Sequence, residues 1–365
     1  MSVQVVTGDL LKQDDVDAIV NTVNCVGVMG KGIALQFKNK WPNNFKLYEA
    51  ACKAHQVQPG KMFVFDAGAY ARPNFIINFP TKDHWRGNSK IEFIRDGLVD
   101  LIAQIRRLNI RSVAIPPLGC GNGGLNWNDV RPLIVAAFAE LPEVAVRLFE
   151  PSGAPDPKTM EVNTKKPRMT LARAAIVKAL DAYAHVGYGL SKLEVQKLVY
   201  FMQLIDVSFP RIDFVKDRYG PYSETLRHAL ESMEGHFIQG LGDGVVEAEI
   251  EPTPTAQLEA TSFLEQELEG KSVIDAVARV ADLIDGFQSA YGMELLATVH
   301  WVATHEPFAS GPDEALAAIR AWTPRKAELM QPTHVAAAWA RLTAQGWILA
   351  AETSEPSRNG MLMTH

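Results

Sequence analysis

IRSVAIPPLGCGNGGLNWN, residues 110–128, sets the architecture when it is read beside AIVNTVNCVGVMGKGIALQF, residues 18–37. Each stretch is an apolar strand that runs into a glycine-rich loop and then into a helix. Glycine tolerates φ > 0 and lets backbone N–H groups approach phosphate oxygens closely. A helix N-terminus behind the loop adds partial positive charge for an anion. One such loop says little, because loops use glycine freely. Two in one small domain can hold a diphosphate-bearing ligand from both sides. A third turn, TGDLL at 7–11, follows the first strand.

Outward from these loops, strand-like segments fall at 3–6, 18–21, 62–66, 75–79, 112–116 and 145–149. Helical patterns lie between them at 33–41, 43–55, 91–108 and 127–141, with Pro42 separating the first two. The alternation predicts an α/β sandwich with a mostly parallel sheet over residues 1–150. Ligands in such sheets sit beyond the carboxyl ends of the strands, where all three turns emerge. Residues 151–169, PSGAPDPKTMEVNTKKPRM, combine prolines and polar residues without periodicity and read as a linker. Residues 170–365 read as a mostly α-helical second domain, with helices at 171–184, 191–204, 222–233, 255–267, 273–287, 293–304, 313–322 and 334–345. Ser191 and Glu194 form a predicted capping box. Leu193, Leu198, Phe201, Met202 and Ile205 then supply a core stripe.

The composition is globular, 47% hydrophobic and 21% charged in 365 residues, enough for two cores. Apolar runs fall short of the roughly 20 residues a membrane helix needs, and Met1-Ser2-Val3 leads into a strand without a signal segment. Cys25, Cys52 and Cys120 have no metal-ligand spacing, so reduced thiols, a cytoplasmic protein, no metal and no cofactor are expected. Charge is asymmetric. Residues 1–160 carry 18 Lys+Arg against 15 Asp+Glu, and residues 161–365 carry 18 against 27. From His228 to Gly270 no Lys or Arg occurs in 43 residues, against ten acids from Glu231 to Glu269.

TGDLL (7–11), AIVNTVNCVGVMGKGIALQFK (18–38), NFPTKDHWRG (78–87) and PPLGCGNGGLNW (116–127) closely resemble a macrodomain, the three-layer α/β/α ADP-ribose-binding module, which implies a mixed, mostly parallel sheet. VMGKGIALQFK and the lysine of PTKDHWRG are most similar to the branch holding terminal-ADP-ribose glycohydrolases and the DarG antitoxins, whose DarT-like toxin partners attach ADP-ribose to thymidine in single-stranded DNA. The two-domain length suits DarG. The resemblance implies Asp9 on the adenine amino group with Leu10 beside it; the plainer role of Asp9 is a helix N-cap. It implies Asn21, Thr22, Val23 and Asn24 along the distal ribose, where Asn24 is alternatively a turn residue. Gly30, Gly32, Ile33 and Ala34 would direct backbone donors at the diphosphate. Leu118, Gly119, Cys120, Gly121, Asn122 and Gly123 would close the other side. Cys120 is expected to be a small loop residue and not a nucleophile, and Lys31 to face solvent.

Lys82, after the strand 75–79 and Pro80-Thr81, matches the glycohydrolase lysine. Cleaving an N-glycosidic bond develops positive charge at the anomeric carbon and negative charge on the departing base. An ammonium can stabilise or protonate that base, or a neutral amine can attack the carbon. Thr81 joins the ligand contacts. Trp85 and Arg86 stack and hold an unpaired DNA base in one reading, and pack or face solvent in the other. Mammalian terminal-ADP-ribose glycohydrolases add an aspartate where this chain has Gly123, so a lysine–aspartate pair is not expected.

In the second half, SKLEVQKLVYFMQ (191–203), DRYGPYS (217–223) and WTPRKAELM (322–330) resemble the SocA-like, or Panacea, antitoxin domain. Its proposed role is to bind the toxin. The acidic run would then occupy the toxin's basic groove in place of DNA. His300 and His305 are expected to be core or surface residues, not metal ligands. The resulting expectation is a toxin-binding antitoxin that hydrolyses ADP-ribose from thymidine in single-stranded DNA, with ADP-ribosylated DNA, ADP-ribose and the toxin as partners. Its rivals are a non-catalytic ADP-ribose reader and a hydrolase of protein-linked ADP-ribose.

Overall fold

The computed structural model describes residues 3–184, 189–205, 212–245 and 247–349. It divides into two units: the described residues of Met1–Pro167 with Gln239–Ala248, and those of Arg168–Ile238 with Glu249–His365. No helix among the described residues is long and apolar enough to cross a membrane.

The first unit runs β1 (Val3–Val6), β2 (Ala18–Val23), α1 (Gly32–Lys40), α2 (Pro42–Lys53), β3 (Phe63–Asp66), β4 (Phe75–Pro80), α3 (Ile91–Leu108), β5 (Ser112–Ile115), α4 (Trp127–Phe138) and β6 (Ala145–Phe149). Its strands form one sheet in the order β1-β6-β5-β2-β4-β3, parallel except where β3 meets β4. The mixed, mostly parallel sheet is the one predicted. Two strands outrun their predicted ends, because pairing continues through Thr22↔Phe79 and Val23↔Pro80.

Side chains that alternate along each strand separate into two cores. Val20, Ile77, Phe79, Val113 and Val146 pack against Ile94, Leu98, Leu101, Ile134 and Phe138 of α3 and α4. Ile19, Ile76 and Ala114 face the other way, onto Leu10, Leu11 and Phe37. A sheet buried on both faces explains strands that read as near-continuous apolar runs.

The stretch 151–167 stays with this unit. The Asn163 N–H donates to the Asn39 carbonyl at 2.8 Å, its side-chain amide to the Lys40 carbonyl at 3.0 Å, and Lys40 pairs with Glu161 at 2.7 Å. These contacts satisfy carbonyls that the last turn of α1 leaves without partners. Asn163, within the segment read as a linker, therefore caps a helix, a role that needs a polar residue and no periodicity.

The second unit holds α5 (Leu171–Ala184), α6 (Lys192–Ile205), the hairpin β7 (Val215–Asp217) and β8 (Gly220–Tyr222), and α7 (Glu224–Met233). There follow α8 (Pro254–Gln266), α9 (Gly270–Ile284), α10 (Ala290–Thr304), α11 (Pro312–Arg320), α12 (Pro324–Leu329) and α13 (Pro332–Ala344). Helix α10 is buried continuously from Gly292 to His300 and forms the centre of the unit. The capping box forms as predicted: the Ser191 N–H donates to Glu194 at 2.8 Å, and the Glu194 N–H to Ser191 Oγ at 3.3 Å. The hairpin and α12 went unpredicted, since three-residue strands and a six-residue helix carry too few residues for a periodic signal.

Candidate active site

Strands β5, β2 and β4 are neighbours in the sheet, so the loops leaving their carboxyl ends lie side by side. They carry residues 118–124, 24–31 and 81–89 respectively. The turn after β1 is displaced along the same edge, four strand spacings from β4, or about 19 Å at ~4.8 Å per spacing. The resulting edge is long, with Asp9 toward one end and Lys82 toward the other.

Lys82 ties the loops together. The Cys25 thiol donates to its carbonyl at 3.4 Å, and the Cys25 N–H donates to the next carbonyl, of Asp83, at 3.0 Å. Its ammonium donates to the Asn122 carbonyl in the loop after β5. Partial burial lowers the Lys82 pKa from the ordinary lysine value. The two glycine loops meet at Gly32, whose φ is +62°. A Cβ there would lie 2.9 Å from the Asn122 amide nitrogen, and the left-handed backbone conformation favours glycine.

Gly123 is equally constrained. A Cβ on it would lie 2.3 Å from the Gly119 carbonyl oxygen and 2.3 Å from Ser89 Oγ. The absent aspartate is therefore matched by an absence of room for any side chain. Ser89 was not singled out in the sequence, yet its N–H donates to the Gly123 carbonyl at 3.0 Å and its Oγ has no partner.

Asp9 caps the short turn Leu10–Lys12, accepting from the Leu11 N–H at 2.9 Å, and Leu10 is buried. Asn21 is fully buried. Its amide donates to Asn78 at 3.0 Å, Asn78 donates to Asn44 at 2.7 Å, and Asn21 Oδ1 is left without a partner. Asn24 is engaged in its own turn: Oδ1 accepts from the Val26 N–H at 3.0 Å and its amide donates to the Val28 carbonyl. That is its turn role, and it leaves one amide N–H for a further acceptor.

Val23, Thr81 and Leu118 are buried supports, while Gly30, Lys31, Gly121 and Asn122 are exposed. Thr22, Ile33, Ala34 and Cys120 are half-buried, and Gly119 is buried. Burial pushes the Cys120 thiol up to about 11 and the Cys25 thiol up to about 12, so neither is a thiolate at neutral pH. Trp85 is 47% exposed, with His84 stacked on it at 5.5 Å and the Arg86 guanidinium over its ring at 4.6 Å.

A Macro domain family model matches residues 20–134. A Mycobacterium tuberculosis protein named DNA ADP-ribosyl glycohydrolase is 47% identical over 349 residues, 92% of this chain and 97% of that one. The chain belongs to the DNA ADP-ribosyl glycohydrolase family. The solved macrodomain of Mycobacterium tuberculosis DarG is 58% identical and covers 41% of this chain and 98% of its own, with a TM-score of 0.40. A DNA ADP-ribosyl transferase–DNA ADP-ribosyl glycohydrolase fusion protein of Thermosipho africanus is 34% identical over 145 residues, 36% of this chain and 37% of that one.

In this DNA ADP-ribosyl glycohydrolase family member, residues outside the motifs hold the site loops. The Tyr48 hydroxyl donates to the Asn24 carbonyl at 2.6 Å, and Asn44 anchors Asn78. The first N–H of α1, on Gly32, donates to the carbonyl of Asp243 at 2.8 Å. Asn44 and Tyr48 lie four apart on α2, a spacing that shows one helical face but not which polar groups it meets.

Proposed function

We propose that the chain hydrolyses the N-glycosidic bond between ADP-ribose and thymidine in single-stranded DNA, with Lys82 as the main catalytic group. We propose further that the second unit binds a cognate DarT-like ADP-ribosyltransferase toxin, so that the protein is its antitoxin. The observation that carries the first reading is the Lys82 ammonium at the Asn122 carbonyl, where the loops after β2 and β5 meet. A pure reader needs the glycine loops and Asp9 but no cation at the ribose end. Ile33 and Ala34 supply backbone donors for the diphosphate, Asp9 accepts from the adenine amine, and the exposed Trp85 and Arg86 hold the DNA beside the bond. A base modified on its pairing face does not pair, so single-stranded DNA is the natural substrate form, and the cytoplasm the place of action. The fused transferase of Thermosipho africanus supports a transferase as partner.

Two routes use Lys82. As an ammonium it gives its proton to the departing base nitrogen, water adds hydroxide to the anomeric carbon, and the remaining water proton restores the ammonium. As a neutral amine it bonds to the anomeric carbon, the base leaves with the bond's electron pair and takes a proton from Nζ, and water then releases the sugar. Both act without the carboxylate that Gly123 excludes, which favours a DNA-base link over protein-linked esters. The test is ADP-ribose release from a thymidine-ADP-ribosylated single-stranded oligonucleotide and from an ADP-ribosylated protein. Release from the oligonucleotide is expected; release from the protein alone, or binding without turnover, overturns the reading. Borohydride during turnover leaves an adduct on Lys82 by the amine route and none by the ammonium route.

A further inference from the structure

Helix α1 begins behind the first glycine loop without a cap of its own. Lys31 stands at its N-cap in extended conformation, and no side chain there accepts a hydrogen bond. The acceptor comes from far along the chain. Asp243, only 2% exposed, takes the Gly32 N–H on its main-chain carbonyl at 2.8 Å. Its carboxylate takes the Gln36 side-chain amide at 2.7 Å and the N–H of Val245 at 3.0 Å. Gln36 is itself buried, one turn into α1. One residue thus holds the first turn of α1 at both ends, from the backbone at Gly32 and from the side chain at Gln36.

The place of this grip matters. A Cβ on Gly32 would lie 2.9 Å from Asn122 of the second loop and 3.7 Å from the Val245 side chain, so residues 243–245 reach the first loop where it faces the second. Gly242 backs onto Pro157, where a Cβ would lie 2.9 Å from the proline ring. The Gly32 N–H, once engaged by Asp243, is not a donor to an anion. An α-helix leaves its first four N–H groups without internal partners, so Ile33 and Ala34 are the donors whose direction the Asp243 grip sets.

We infer that Asp243 is a positioning residue of the ADP-ribose site: by holding Gly32 and Gln36 it fixes the angle at which Ile33 and Ala34 meet the diphosphate. The inference rests on the function proposed above and adds a residue from the far half of the sequence to that site. Asp243 acts through α1 and takes no part in the bond cleavage.

The test uses the full chain as wild type, Asp243→Ala, Asp243→Asn and Gln36→Ala, with calorimetric titration of ADP-ribose and steady-state hydrolysis of the modified oligonucleotide. Asp243→Ala is expected to raise the Kd and the KM at least tenfold while kcat stays within about threefold. Gln36→Ala moves both in the same direction. Asp243→Asn keeps the shape and one acceptor: its oxygen still takes the Val245 N–H, its amide donates to Gln36 once that side-chain amide turns over, and both values return to within about threefold of wild type. A merely structural role would lower the melting temperature of Asp243→Ala without separating KM from kcat, and would overturn the inference. Unchanged or tighter binding by Asp243→Ala would also overturn it, the latter marking residues 239–245 as a barrier to the ligand. Should Asp243→Ala not fold, Gln36→Ala decides: wild-type affinity in that variant refutes the grip. Failure of the wild type to bind ADP-ribose refutes the proposed function instead.

Discussion

The two units bury most of their polarity in different ways. Beneath the site loops of the first unit lies a neutral relay, Asn21 to Asn78 at 3.0 Å and Asn78 to Asn44 at 2.7 Å. At the centre of the second unit lie full charges. Lys326 is fully buried and bonds Glu294 at 2.5 Å, Arg325 joins the same carboxylate at 2.8 Å, and the buried Lys197 donates to the Pro221 carbonyl at 2.6 Å. Amides lose far less than ions on leaving water. The first unit thus gains an uncharged floor beneath the loops, while its buried carboxylate, Asp243, is held by the Gln36 amide and the Val245 N–H. In the second unit, the charges tie α10 to α12 and Lys197 of α6 to the hairpin. Damage to the first unit should therefore appear in chemistry, and damage to the second in folding.

The largest expected effect tests the chemical half of this contrast. Lys82→Ala should lower oligonucleotide hydrolysis by about a thousandfold, within the range for loss of a general acid or base. ADP-ribose binding should stay within about tenfold, roughly 1.4 kcal/mol, because the lysine stands beside the glycine loops and not within them. Turnover assays and calorimetry on one preparation check both; wild-type turnover removes the catalytic assignment.

Next is the buried ion cluster. Lys326→Met leaves Glu294 with Arg325 alone, and removing one partner of a buried pair costs about 3–5 kcal/mol. Urea unfolding of the full chain should show that loss, with toxin binding failing under conditions where the wild type still binds. A change below about 1 kcal/mol would mean that Arg325 suffices for Glu294 and that the second unit tolerates a broken charge centre.

A smaller, pH-dependent effect comes from His300, buried on α10 with the Tyr200 hydroxyl 2.7 Å from its Nδ1. Burial pushes its pKa down from 6.5 to about 4. The unfolded chain therefore binds more protons between these values, and stability falls as pH falls. The contribution is complete above about pH 6.5 and is lost progressively toward pH 4, on the order of 3 kcal/mol. His300→Gln should flatten the melting temperature across that window, while an unchanged slope would assign the acid sensitivity to other groups.

These differences also explain what was legible in the sequence. The α/β alternation and the glycine loops are local signals, and the strands fell within two residues of their predicted ends. Lys82 was visible through its motif and its place after β4. The Asn21–Asn78–Asn44 relay was not, because a polar residue in a strand or helix gives no sign of its partner. Asp243 was hidden for the same reason, since Gln36 lies 207 residues away. In the sequence it was one of ten acids in a run. The structure separates that run: Glu234 and Asp243 are buried, whereas Glu247, Glu249, Glu265, Glu267 and Glu269 are exposed.

That separation frames the smallest expected effect. If the acidic run meets a basic toxin groove, the exposed carboxylates make the contact and the buried ones do not. Charges at the rim of an interface contribute about 0.2–1 kcal/mol each, so reversing Glu247 and Glu249 to Lys together should weaken toxin binding by roughly tenfold, about 1.4 kcal/mol. Hydrolysis by the first unit should be unchanged, since both carboxylates are exposed. The loss should be concentrated in the association rate and should shrink as salt rises, because screening reduces the attraction in the wild type and the repulsion in the variant alike. Excess single-stranded oligonucleotide should compete with the wild-type complex, as one basic groove does not hold both. Binding that ignores the reversals, the salt and the oligonucleotide would move toxin capture away from the acidic run. The exposed acids would then be ordinary solvated surface, and the contrast between the units would rest on their buried groups alone.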